Sequence, residues 1–275
     1  MINTNTRNVA SSRYFYKINN LTYHDCKLIH KIFVDKHQEP MKSILGGWII
    51  PVEKVLVAYD NVVKHKGVIE SLKEEKELLL RNLLEELYAN IEMRAILPLS
   101  KVQSGDISFI TESDYENEID IDFILYLVFQ YFRTNKIKQS VKESVGELSK
   151  LFNDFDDAFN LIVPILSTMF GYTIYKQIKN KELYCYYIEN TTETDFITGD
   201  QPVINTKAKF SGETDELELY YPVSPSGALF ITKEENLNTE WSMEKVKEYN
   251  DMIERQSLEL IFANDEDDLK TYIVE

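Results

Sequence analysis

At Leu183-Tyr-Cys-Tyr-Tyr-Ile188 the chain changes its grammar. Aromatic and β-forming types replace the helical spacing that fills the residues before it, and such types suit a pleated, half-buried surface. Downstream, Phe196-Ile-Thr198 predicts a second short strand. Leu217-Glu-Leu-Glu-Leu-Tyr-Tyr221 alternates as a half-buried strand should. Residues 228–232 give a fourth strand. Ser242 caps a helix over about 243–255, 258–263 is a last strand, and 267–272 a short closing helix.

Upstream the period is 3.6. From 68 to 97, Leu72, Leu79, Leu80, Leu83, Leu87 and Ile91 recur at helical spacing, with Glu and Lys on the other face, until Pro98 ends or bends the helix. Thr22 with Asp25 forms a variant capping box for a helix to about 36. Pro40 starts the next element, which Gly46-Gly47 and Pro51 interrupt. Residues 103–117 read as a loop in which Ile107, Phe109 and Ile110 could make a brief strand. A helix follows over about 120–142, so apolar from 123 to 132 that it is buried on most sides. Another runs from 148, or from 156, to 178. Arg13-Tyr-Phe-Tyr opens a short strand or extended arm over 13–18. The pattern is α+β: long helices in the N-terminal two thirds, packed with a small, mostly antiparallel sheet from the C-terminal third. With no repeat or linker, 1–275 reads as a single domain, helical over about 1–181 and β-rich over about 182–275.

Composition narrows the function classes. The formal net charge of −16 comes from 46 acidic and 30 basic residues. A field of that sign repels polyanions, and no duplex nucleic acid is expected as partner. Lys136, Lys138 and Lys142, or Lys176, Lys179 and Lys181, read as solvated helix ends. Two distant cysteines, Cys26 and Cys185, and a polar start favour a reducing cytoplasm. The apolar run 158–175 contains Asn160, Pro164, Ser167 and Thr168. It reads as a core helix, and no membrane partner is expected.

Phosphate loops, dinucleotide fingerprints and nucleophile elbows are absent. No two of the four histidines share the helical spacing that offers two imidazoles to zinc, and the sequence names no cofactor. Three polar features remain. Gln130 and Arg133 share a face at the end of the most apolar helix, where a guanidinium needs a carboxylate, a carbonyl or a ligand anion. Asp200 leaves a strand end in Thr198-Gly-Asp200-Gln-Pro202, as a site carboxylate or as an Asx turn. Ser224 lies between Pro222 and Pro225, as a site hydroxyl or a plain turn. Glu92 follows Ile91 on the long helix, and Asn250 sits mid-helix, where Asn needs a reason.

In these residues the sequence resembles the family called domain of unknown function 4238. That family's pattern has an aromatic arm, Ile-Glu on a helix, Gln-x-x-Arg-Thr, Thr-Ser-Asp-x-Pro-Val, Pro-Leu-Ser-Pro and a late helical Asn. The matching positions here are Arg13-Tyr-Phe-Tyr, Ile91-Glu92, Gln130 to Thr134, Thr198 to Val203, Pro222-Val-Ser224-Pro225 and Asn250. Gly199 replaces the usual Ser, Val223 replaces Leu, and the His-Tyr-x-Pro arm of many members is missing. The resemblance implies fold and site position, together with a bacterial or phage-borne origin, in some members near defence genes.

Two function classes follow. In the first, an enzyme or nucleotide-binding protein holds a small molecule or nucleotide in one polar pocket. Asp200, Arg133 and Glu92 do the chemistry there, and Gln130, Thr198, Ser224 and Asn250 bind. In the second, a binding or regulatory module uses the same groups as a structural network. A metal-dependent nuclease using Asp200, Glu216 and Glu218 is weaker, because the strand lacks the expected Lys. The long helix could also take a protein partner.

Overall fold

The computed structural model describes residues 18–112, 118–208, 216–270 and 272. The 13–18 arm lies outside them except for its last residue, Ile18. The chain divides into two compact units, Met1–Asn90 with Val145–Leu166, and Ile91–Ser144 with Ser167–Glu275.

In the first unit, helix α1 (Tyr23–Ile29) starts from the expected capping box. Thr22 Oγ1 accepts the Asp25 amide at 3.2 Å and Asp25 Oδ2 accepts the Thr22 amide at 2.8 Å. Asp25 is fully buried because its other oxygen accepts the Asn153 amide at 2.9 Å. A π-helical turn, His30–Val34, continues the chain. Helix α2 (Met41–Lys66) then runs straight through Gly46, Gly47 and Pro51 instead of being interrupted. A proline ring crowds the carbonyl four residues back, and here that residue is Gly47, whose backbone yields most easily. Helix α3 (Glu70–Gln103) buries Leu80, Leu84 and Tyr88 in this unit.

Helix α7 (Phe155–Lys179) begins here, capped by Asp154, which accepts the amides of Asp156 and Asp157 at 3.0 and 3.3 Å. Pro164 inside it cannot donate to the Asn160 carbonyl. The Tyr88 hydroxyl donates to that carbonyl instead, at 3.0 Å. Among the described residues α7 alone is long and apolar enough to cross a membrane, and 67% of its most apolar window is buried inside the structure.

The second unit takes the end of α3, which continues past Pro98 to Gln103. Within the stretch expected as a loop with room for a brief strand, residues 108–111 form a helical turn, α4 (Ser108–Thr111). Asp106 Oδ1 accepts both the amide and the hydroxyl of Ser108, which starts a turn, and adjacent Phe109 and Ile110 are both buried, as no alternating strand allows. The expected 120–142 helix is two: α5 (Glu118–Phe132) and α6 (Asn135–Val145). Thr134 Oγ1 accepts the Ile137 amide and caps α6, so the break falls between Arg133 and Asn135. A 3-10 turn, Gly146–Leu151, follows and belongs to the first unit.

Four strands, β1 (Tyr184–Glu189), β3 (Ile204–Asn205), β4 (Leu219–Ser224) and β5 (Gly227–Thr232), make an antiparallel sheet in the order β1-β5-β4-β3. The pair β2 (Thr198–Gly199) and β6 (Ile261–Phe262) stands apart. Helix α8 (Met243–Gln256) starts at Ser242 as expected, and α9 (Glu266–Lys270) closes the chain. One sheet face carries Ile188, Ala228, Phe230, Tyr220 and Ile204 into a core with Trp241, Val246, Tyr249 and Ile253. Tyr187, Leu229 and Tyr221 stand in one row on the opposite face.

Candidate functional site

Successive residues of a strand point to opposite faces. Tyr220 therefore enters the aromatic core, its ring 4.9 Å from that of Tyr249 and 6.0 Å from that of Trp241. Tyr221 points the other way, and its hydroxyl meets that of Tyr126 on α5. Burial raises both phenols above their ordinary value. Arg133 lowers both, and for Tyr221 the bond to Tyr126 adds to the rise. Two neutral hydroxyls are thus fixed beside a cation.

Arg133 also reaches α3, where Nη1 donates to Glu92 Oε1 at 2.7 Å. The pair is only partly covered, with side chains 27% and 49% exposed. Between these groups lies Gln130, one turn before Arg133 and one turn after Tyr126. Spacing of i, i+4 and i+7 puts the three on one stripe of α5. Gln130 is 3% exposed, and its Nε2 has no hydrogen-bond partner among the described residues. A buried amide donor left unmade costs about 1–3 kcal/mol.

Ser224 lies at the β4–β5 hairpin opposite Gly227. A Cβ at position 227 would stand 1.9 Å from the Tyr187 oxygen and 3.0 Å from Ser224 Oγ, so the Tyr187 ring sits where it does because residue 227 is glycine. Burial raises the Tyr187 phenol, and the bond from Ser224 lowers it.

The other sequence candidates have framework partners. Asp200 accepts three successive amides: Leu258 on Oδ1 at 2.8 Å, and Glu259 and Leu260 on Oδ2 at 2.8 and 3.3 Å. Its own amide donates to the Leu260 carbonyl at 3.0 Å. This closes the loop between α8 and β6 onto the end of β2. The replacement of Ser by Gly199 fits this closure, since a Cβ there would lie 1.9 Å from Ser257 Oγ and 3.0 Å from the Leu260 oxygen. Asn250, 1% exposed, accepts the Ile197 amide at 3.1 Å and donates to the Asp195 carbonyl at 2.8 Å, which explains an Asn in mid-helix. Thr198 pairs in register with Phe262.

The end of α5 and the Gly-Asp-Gln-Pro turn do meet, through Gln201. Its Nε2 donates to the Tyr131 carbonyl at 3.2 Å and to the Val203 carbonyl at 2.7 Å, while its Oε1 accepts from the Thr134 hydroxyl. Arg133 and Asp200 thus stand on adjoining segments, Arg133 paired with Glu92 and Asp200 with backbone. Glu218 is likewise engaged, accepting from the hydroxyls of Thr206 and Thr232. Among the described residues no three His, Cys, Asp or Glu side chains gather as a metal ion requires.

Sequence reading missed Tyr126, Tyr221, Tyr187 and Gln201. The available signal was the doublet Tyr220-Tyr221, since alternation sends one of the two away from the core.

The family described as "Protein of unknown function (DUF4238)" matches residues 1–267, nearly the whole chain. The chain belongs to this family. No curated protein and no solved structure matches it.

Proposed function

We propose that this member of the DUF4238 family binds a small molecule, as an enzyme or a nucleotide-binding protein, on the polar stripe of α5. Tyr126, Gln130 and Arg133 supply donors, Glu92 supplies a carboxylate, and Tyr221 orients the phenol of Tyr126. The observation that carries this reading is the buried Gln130 Nε2 without an acceptor, one turn from a partly exposed guanidinium. A native interior leaves few such groups unmade, and a ligand oxygen would satisfy this one. Tyr187 and Ser224 add a hydroxyl pair on the same sheet face. On this reading Asp200 and Asn250 shape the site and do not touch the ligand.

A thermal-shift panel of nucleotides, sugar phosphates, amino acids and divalent cations tests the proposal. A true ligand at a hundredfold excess over Kd stabilises the fold by about 2.7 kcal/mol. The shift should vanish in Arg133→Met. A panel without a hit, or a hit indifferent to Arg133, refutes the reading.

A second reading, a non-catalytic module whose polar groups hold the interior, draws support from Asp200, Asn250 and Gln201. All three are engaged with backbone groups. It leaves Gln130 without a reason.

A further inference from the structure

We infer that β1 is an interface strand: two copies of this chain pair antiparallel along its outer edge and join their sheets into one. β1 stands at one end of the order β1-β5-β4-β3 and is six residues long, whereas the strand at the other end, β3, has two.

The register shows which backbone groups of β1 are open. The Asn190 amide donates to the Ser226 carbonyl at 2.9 Å. That pair continues the match of Ile188 with Ala228. In an antiparallel ladder, pairs that exchange hydrogen bonds alternate with pairs that do not. Tyr184, Tyr186 and Ile188 therefore bond β5, and Cys185, Tyr187 and Glu189 turn their N–H and C=O groups to the outer edge. Among the described residues none of these outward groups has a hydrogen-bond partner. Tyr184, Tyr186 and Tyr187 are half-buried and Glu189 is exposed, so solvent reaches the edge. Cys185 and Ile188 are buried because their side chains enter the two faces of the sheet.

Natural sheets guard such an edge with lysine, proline or a bulge. β1 contains none of these. Its tyrosines and isoleucine are types that suit a strand best, and the register shift of this sheet lies in β4, between Pro222 and Ser224. An unguarded row of donors and acceptors is a template for one more strand. The charges select a second copy in antiparallel sense. Exposed Lys181 precedes the strand and exposed Glu189 ends it, so each Glu189 comes to the Lys181 end of the other copy. A parallel pairing in register would set Glu189 beside Glu189. Centred on Tyr187, the antiparallel pairing matches Tyr187 with Tyr187, and Cys185 with Glu189 of the second copy, each pair exchanging two hydrogen bonds. The two-fold closes on itself, and the short β3 edge gives it little to grow from. The charge of −16 on each copy is screened beyond about 8 Å at physiological salt. The surface is small, so the dimer is of the weak class, forming at about 10–100 µM chain.

Sedimentation velocity on the full chain at physiological salt, from about 1 to 200 µM, tests the inference. The mass should double across that range. The amides of Cys185, Tyr187 and Glu189 should exchange more slowly as concentration rises, while those of Tyr186 and Ile188 are slow throughout. Glu189→Pro removes an outward donor and leaves the bonds to β5 in place, so it should abolish the dimer. Glu189→Lys keeps the backbone and sets like charge beside Lys181 of the second copy, and it should weaken the dimer roughly three- to tenfold. A chain that stays monomeric to the top of the range overturns the inference. So does a dimer that both variants leave intact, or concentration-dependent protection that skips Cys185, Tyr187 and Glu189.

Discussion

Replacing Asp200 by Ala or Asn separates an anchoring carboxylate from a reacting one. Its oxygens accept the amides of Leu258 and Glu259 at 2.8 Å each and that of Leu260 at 3.3 Å. A hydrogen bond to a charged group contributes about 1.5–3 kcal/mol when buried, and these lie near solvent, so about 1 kcal/mol for each short bond and half that for the long one is reasonable. Asp200→Ala should then cost about 2–3 kcal/mol. Asp200→Asn keeps one acceptor but turns an amide nitrogen toward a second set of N–H donors, for about 1–2 kcal/mol. At about 2–4 °C per kcal/mol for a chain of this size, the alanine variant should melt about 4–12 °C lower. Hydrogen exchange should localise the loss, with the amides of 258–260 exchanging faster while β4 and β5 keep their protection. Unchanged exchange at 258–260 together with an unchanged melting temperature would refute the anchor, and would return Asp200 to the list of reacting groups.

Tyr220→Phe should stabilise the protein. The hydroxyl is fully buried among Phe196, Phe230, Trp241 and Tyr249 without a hydrogen-bond partner among the described residues, so its removal recovers about 0.5–2 kcal/mol in urea titration. Lys179 and Asp120 form a buried pair at 2.6 Å, with side chains 7% and 1% exposed. Lys179→Met alone should cost about 3–5 kcal/mol, and adding Asp120→Leu should restore much of it in a double-mutant cycle. Burial pushes the Cys26 and Cys185 thiols up from 9.0 to about 12, Glu53 and Asp25 adding to the rise at Cys26. Neither should react with a disulfide reagent at pH 8 until the protein unfolds. Because the raised values belong to the folded state, their contribution is complete below about pH 9 and is lost as pH climbs toward 12, a loss that denaturation midpoints across that range would record.

Periodicity made the long elements legible, because a sustained period overrides local breakers. Pro51, Pro98 and Pro164 all sit inside helices. A proline costs one bond, and neighbours such as Gly47 and the Tyr88 hydroxyl reduce the damage. Short elements were not legible. Two residues, Ile204-Asn205, cannot show an alternation, and β3 forms because β4 offers its edge. The α5–α6 break had a signal in Thr134-Asn135, a cap followed by a weak helix former, which the surrounding apolar run obscured. The candidate site was half visible. Polar residues in an apolar helix drew notice to Gln130 and Arg133, whereas Tyr126 in the same helix looks like any core aromatic until β4 brings Tyr221 to it. The Gly-Asp turn drew notice for a carboxylate whose three amide partners lie some sixty residues later, a distance no local pattern encodes.

Helix α6 contributes no buried residue, although it begins just after Arg133. Its outward positions, Ser140 among them, can carry a fluorescent reporter or an affinity handle with little disturbance to the interior. A probe there would sit seven residues along the chain from Arg133, on the far side of the break between the two helices, where it could report a ligand arriving without displacing a buried side chain.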